Sequence, residues 1–475
     1  MAKPPSSLIS RRASLGLLGA GGLASGLALP SWSKILDPSA SDLDLDVRRA
    51  RFSILEGTQT DGLVSTRDNA PPPVMRMKRN QPFRVAVTNR LADYTSMHWH
   101  GLRLTNAMDG VPYLTQFPIA EGERFVYDLF SPDAGTFWYH PHCMTMEQMA
   151  RGLTGILVVE EDEDPGVDTE LALNLKDFRL NGQGGWIDLW TARGAARGGS
   201  FGTVMTTNWR VEPRYQAPTG GLVRLRIAAT DTTRIYRLFL PDAEGRVIAL
   251  DGHPLPQPAD IPKSEQTALF LAPGQRADIV VRMPTSEGQT ITLMTDAPGT
   301  PRVLAHIQAT GQNLLRSVSD IVALPPNPVS EPDLTSARLE EFVFGWSPEG
   351  DLPNNGVCGT LGYTFWSINR TPWAGDAAEG TGPLATLKLG ESVVLRLRNE
   401  SPNAHPIHLH GLAFKPLRSN KRQVAPLWTD TVLLQKDEIV DVAFVADNLG
   451  DWAFHCHVIE HQKTGLAGFI RVVES

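Results

Sequence analysis

Ten of the twelve histidines fall in four short clusters, and one of only three cysteines stands inside the last of them. The clusters are His98-Trp99-His100, His140-Pro141-His142, His405-Pro406-Ile407-His408-Leu409-His410 and His455-Cys456-His457-Val458-Ile459-Glu460-His461. On an extended strand, residues i and i+2 face the same way. His98 with His100, His140 with His142, His408 with His410, and His455 with His457 are therefore expected as same-side pairs. Eight imidazoles drawn from the two ends of the chain can enclose a metal cluster if those ends meet. Neutral imidazole suits copper, zinc, iron or nickel.

Cys456 discriminates among these metals. Lying between His455 and His457, its sulfur faces away from them and belongs to a second site, which His405 and His461 can complete. Two histidines and a thiolate in a plane form the blue-copper electron-transfer arrangement. Zinc would want four closed donors and would gain nothing from the bridge. A redox metal gains a short covalent path between sites. Leu466, ten residues after Cys456, stands where a weak axial donor could sit; a side chain without a donor atom raises the reduction potential.

The elements that must position these ligands are strands. Phe83–Asn89, Leu222–Ile227 and Val393–Asn399 alternate polar and apolar residues with period two. Turns at Gly122-Glu123, Pro273-Gly274-Gln275 and Lys436-Asp437-Glu438 each lead into a further strand. The same order of parts appears three times and long helical periodicity is nearly absent. The expectation is an all-β chain of three β-sandwich domains, over residues 45–162, 168–325 and 335–475. Acidic Glu160–Pro165 and the proline-rich run Pro325–Pro332 are the expected linkers.

Composition is that of a globular protein, and a formal net charge of -8 disfavours a nucleic-acid partner. Three cysteines exclude a disulfide-rich scaffold. Cys143 either pairs with Cys358 or stays a thiol. Residues 1–28 read as an export signal: Arg11-Arg12 precede a weakly apolar run that ends near Ala28, favouring the twin-arginine machinery. That run is shorter than the ~20 residues of a membrane span, so no stable membrane anchor is expected and the destination is periplasmic or secreted.

With these motifs in order from about residue 45 onward, the chain resembles the multicopper oxidases, the family of laccases, bilirubin oxidases and bacterial cuprous oxidases. Supporting strings are Arg151–Gly155, Leu271–Asp278 and Trp428–Val432. The resemblance implies three cupredoxin-like Greek-key domains and four copper ions. A type 1 copper would be held by His405, Cys456 and His461 beside Leu466, and a type 2 copper by His98 and His408. The type 3 pair would be held by His100, His140, His142, His410, His455 and His457. It further implies that electrons pass from a small reductant through Cys456 to His455 and His457, and that dioxygen is reduced to water. Asp109 resembles the carboxylate near type 2 copper, a proton donor or hydrogen-bond organiser. Asp430 resembles a structural aspartate expected near His405. Gln462 replaces an acid found in some bacterial members.

The expected activity is laccase-like, on phenols or aromatic amines. Oxidation of Cu(I) or Mn(II) is the rival within enzymes. Met144, Met146 and Met149 are the soft residues nearest a ligand, although packing explains them as well, and no methionine-rich insertion covers the third domain. A non-catalytic cupredoxin-fold factor is the rival of another class, disfavoured by the intact motifs.

Overall fold

The computed structural model describes residues 40–163, 165–297, 299–348, 356–373, 375 and 382–474. The segment expected as an export signal lies outside them. Strands dominate and form six sheets, two per domain-sized segment of the chain. The chain has three cupredoxin-like β-sandwich domains.

The threefold repeat appears as one pairing scheme used three times. The first strand of each repeat runs parallel to the alternating strand read from sequence: Leu43–Val47 along Val85–Asn89, Thr169–Leu175 along Val223–Ala229, and Arg338–Phe344 along Val393–Asn399. Each alternating strand then pairs antiparallel with the strand that follows the expected turn, at Arg124–Leu129, Arg276–Arg282 and Ile439–Val445. Those turns carry positive φ at Gly122 (78°), Gly274 (96°) and Asp437 (51°).

Alternation explains the third-domain strand fully. Val393, Leu395 and Leu397 point into its core while Arg396 and Arg398 face outward, each buried aliphatic contributing about 1.5–3 kcal/mol. The middle-domain strand Leu222–Ala229 differs, because both of its faces are buried. Arg224 and Arg226 lie against the first domain, meeting Glu161, Glu170 and Asp278. Charge can be buried there because each guanidinium is paired. The acidic run expected as a linker also supplies a partner through Glu161. The proline-rich linker is also held: Asn327 bridges Ala134 and Gly252, from the first and second domains, through side-chain hydrogen bonds of 2.9–3.0 Å.

Helices are short: Thr145–Ala150, Ala192–Ala195 and Ile459–Lys463. Among the described residues no helix is long and apolar enough to cross a membrane.

Candidate metal centre

Each terminal domain brings two histidine strands side by side. His98–His100 pairs with Gly135–His140 so that His98 stands opposite His140. His405–Leu409 pairs with Gly450–Cys456 so that His408 stands opposite His455 and Ile407 opposite Cys456. The expectation of four strand pairs needs correction. Only His98 and His100 lie on one strand; His142, His410 and His457 sit just past the ends of theirs. Past the strand end, the chain still returns each second imidazole to the same cavity.

All eight imidazoles converge between the first and third domains and are buried. Their ligand atoms fall into groups within 4.8 Å: His98, His100 and His408; His100, His140 and His457; His142, His410 and His455; and His98 and His410 with Asp109. The rings stack closely, His98 on His410 and His100 on His408 at 3.8 Å between centroids.

Hydrogen bonds to groups that can only accept fix the tautomers. Nδ1 of His98, His140, His408 and His455 donates to the backbone carbonyls of Asp109, Pro141, Asp430 and Cys456 at 2.8–3.0 Å. His410 Nδ1 donates to the Asp109 carboxylate at 2.8 Å, and His100 uses Nε2 toward Asp430 at 3.1 Å. The remaining nitrogens carry lone pairs directed inward. His98 Nε2, His100 Nδ1, His140 Nε2 and His408 Nε2 have no hydrogen-bond partner. His410 Nε2 and His455 Nε2 lie 3.0 Å apart with a lone pair on each. Buried polar atoms are normally satisfied, so this convergence fits a shared cation. Burial, with mutual repulsion of the rings, lowers the pKa of His100, His140, His142, His410 and His457 well below the usual range, and that of His455 to about 3. They are therefore neutral, the form that binds metal.

The second site is a triangle. His405 Nδ1 and His461 Nδ1 are 3.0 Å apart, and Cys456 Sγ lies 3.6 and 3.5 Å from them. As expected from the alternation, Cys456 faces the apolar core of the third domain, opposite to its histidine neighbours. Burial pushes its thiol up, and Val458 N–H approaches the sulfur at 3.4 Å. Leu466 is fully buried in the same cluster, and its carbonyl accepts from Cys456 N–H at 3.0 Å. His461 Nε2 donates to the carbonyl of Arg197 at 2.5 Å, which leaves Nδ1 free for a metal.

Asp109 ends the turn Asn106–Met108 and is fully buried, its second oxygen 3.2 Å from His98 Nδ1. Gly110 (φ 79°) permits this, because a Cβ there would lie 1.8 Å from the Met97 carbonyl. The Asp430 side chain departs from expectation: it serves the eight-histidine cavity rather than the neighbourhood of His405. It contacts His100 and His408 and takes two bonds from Arg276 at 2.9 and 2.6 Å. Burial acts to raise its carboxyl, but Arg276 and the two histidines hold it well below the usual carboxylate range.

Arg276 and Gly274 were not singled out as site residues, yet both reach it from the middle domain. A Cβ on Gly274 would stand 3.0 Å from His100 and 3.2 Å from His457. Only the string Leu271–Asp278 hinted at them. Cys143 and Cys358 form a disulfide, which resolves the alternative left by the sequence. Met146 and Met149 are buried in an apolar cluster, consistent with packing. Gln462 lies 3.4 Å from His142 Nε2 and lines a cleft with His142 and His455.

Family models described as multicopper oxidase match residues 46–164 and 359–475. The chain is similar to the crystal structure of a multi-copper oxidase from Pseudomonas thermotolerans, with 38% identity and a TM-score of 0.82, covering 91% of this chain and 100% of that one. It is 29% identical to multicopper oxidase MmcO of Mycobacterium tuberculosis over 84% of this chain and 80% of the relative. It is 25% identical to iron transport multicopper oxidase FET3 of Candida albicans, over 87% and 73% respectively. The chain belongs to the multicopper oxidase family, whose members are copper-dependent oxidoreductases.

Proposed function

We propose that this chain is a laccase-like oxidase holding four copper ions, which couples one-electron oxidation of phenols, aromatic amines or similar small reductants to reduction of dioxygen to water. One observation carries the reading: the ligand atoms of eight buried imidazoles meet in one cavity, joined by the single dipeptide links of His455-Cys456-His457 to a separate thiolate triangle. His405, Cys456 and His461 would hold the type 1 copper beside Leu466. His98 and His408 would hold type 2, and the triads His100, His140, His457 and His142, His410, His455 the type 3 pair. When bound, copper supplies one-electron acceptance at the triangle and four-electron reduction capacity at the cavity.

The chain's own groups do the remainder. Backbone carbonyls and Asp430 hold the imidazoles in metal-binding tautomers. Asp109, shared by His98 and His410, is placed to orient ligands and to pass protons at the type 2 side. The cleft at Gln462 gives small molecules an approach to the other side. Domains at 45–162, 168–325 and 335–475 and export by the twin-arginine route, to the periplasm or beyond the cell, belong to the same reading, supported by the three pairing repeats and by Arg11-Arg12. Metal-ion oxidation is the second reading, favoured by the likeness to an iron transport oxidase.

The test is copper-loaded protein assayed side by side with a phenolic dye, Cu(I), Fe(II) and Mn(II). A blue sample that consumes oxygen fastest with the phenol supports the proposal; turnover with metal ions alone contradicts it. Cys456→Ser is expected to bleach the colour and abolish turnover while leaving the fold intact.

A further inference from the structure

No ligand of the thiolate triangle touches solvent: His405, Cys456 and His461 are each 0% exposed. The outer nitrogen of His461, the atom a donor molecule would approach, is occupied by the Arg197 carbonyl. Arg197 belongs to a strap, residues 179–203 of the middle domain, that crosses over the triangle. Three bonds pin it to the third domain. Besides His461 to Arg197, Trp366 Nε1 donates to the Ala195 carbonyl at 2.7 Å, and Ser200 N–H bonds the Glu460 carboxylate. An electron donor therefore cannot reach a ligand directly, and the electron must cross a layer of protein.

That layer contains an aromatic path. Trp346 and Trp366 stand directly opposite each other on paired strands Arg338–Trp346 and Trp366–Ile368. Cross-strand partners share one face of the sheet, and here their indoles stack at 4.3 Å between centroids, 15° from parallel. Trp366 is fully buried and lies against both histidines of the triangle, 5.0 Å from His405 and 4.7 Å from His461. Trp346 is 46% exposed. Trp346 thus presents part of its indole to solvent, and the two rings, the inner one meeting His405 edge-on (77°) and His461 tilted (48°), form a chain of ring contacts from solvent to the triangle.

We propose that Trp346 is the docking and electron-input residue for aromatic reductants, and that Trp366 relays the electron to His405 and His461. This rests on the assignment of the triangle as the type 1 site. A phenol or aromatic amine stacks on the exposed indole. It loses one electron, and a phenol also releases its hydroxyl proton to water. A copper held by His405, Cys456 and His461 would be the one-electron acceptor for that electron, and neither indole is changed in net. Aromatic stacking gives the preference for donors with a π face. The strap accounts for the lack of direct contact with His461.

The experiment compares Trp346→Leu and Trp346→Phe with the wild type in two readouts. In the first, copper-loaded protein is mixed without oxygen with 2,6-dimethoxyphenol or with dithionite, and bleaching of the thiolate-to-copper colour is followed in a single turnover. Trp346→Leu is expected to keep its colour and copper content, and to bleach about tenfold more slowly with the phenol, ~1.4 kcal/mol in the barrier. Dithionite should bleach it at the wild-type rate, and Trp346→Phe should recover most of the phenol rate. In the second, copper-free protein is titrated with the same phenol, and quenching of indole fluorescence is expected to weaken in Trp346→Leu. Equal phenol rates in Trp346→Leu and wild type would overturn the proposal, as would equal slowing with both reductants. A colourless wild type would instead overturn the type 1 assignment, and the fluorescence titration would still decide whether the phenol docks on Trp346.

Discussion

Removing the Cys143–Cys358 bridge should loosen the contact between the first and third domains on which the cavity depends. The bridge closes a loop of 215 residues and sits one residue after His142. The chain-entropy relation for such a loop gives about 18 cal/mol/K, or about 5.4 kcal/mol at 25 °C. That figure is an upper bound, because Asn327 and the Arg276–Asp430 pair also hold the domains together. Cys143→Ala with Cys358→Ala is expected to cost about 3–5 kcal/mol. The assay is urea unfolding of copper-free protein, with the reduced wild type as a second route to the same state. Hydrogen exchange at Met144 N–H, which bonds the Cys358 carbonyl at 3.1 Å, reports the local opening. Midpoints for the variant and the reduced protein that coincide with that of the oxidised protein would show that other interfaces already fix these domains. The loop-closure argument would then fail.

Three further outcomes follow from the site. Leu466→Met should lower the reduction potential of the blue site in a potentiometric titration, because a sulfur donor would enter the axial position; an unchanged or raised potential would show that Leu466 is not axial. Asp430→Asn should weaken copper retention in the eight-histidine cavity about 10- to 100-fold against a chelator while the blue colour persists; equal loss from both sites would contradict its placement. Glu170 joins Arg76 to Arg226 across the first and second domains. Burial acts to raise its carboxyl, but Arg226 and Arg224 hold it below its ordinary 4.5. Its stabilising contribution is complete above that pH and is lost as pH falls through the depressed folded value. Urea midpoints of Glu170→Gln should therefore be lowered at neutral pH and converge on the wild type in acid; a constant gap would refute the linkage.

Part of the histidine and cysteine grouping was legible because period two is a local rule, although only His98 and His100 lie together on one strand. His98 and His100 share a strand face, and Cys456 opposes His455, with no knowledge of the rest of the chain. The three alternating strands were legible for the same reason, as Val393, Leu395 and Leu397 show. What the sequence concealed is tertiary. Nothing near Arg276 indicates that it will reach Asp430 from another domain, nor does anything near Asp430 show that its side chain belongs to His100 and His408 rather than to His405. The burial of Arg224 and Arg226 reverses the solvent face that alternation implies, because a neighbouring domain supplies Glu161. Trp346 and Trp366 are far apart in sequence, which hides their register. The strap over His461 comes from a domain that carries no ligand.

The proposed arrangement joins two copper sites through Cys456, and counting copper per folded chain tests it. Four coppers are expected in the wild type, and three in Cys456→Ser with the blue colour gone and the cavity's metal retained. A wild type that binds a single copper, or a Cys456→Ser variant that loses all of its copper together, would contradict it.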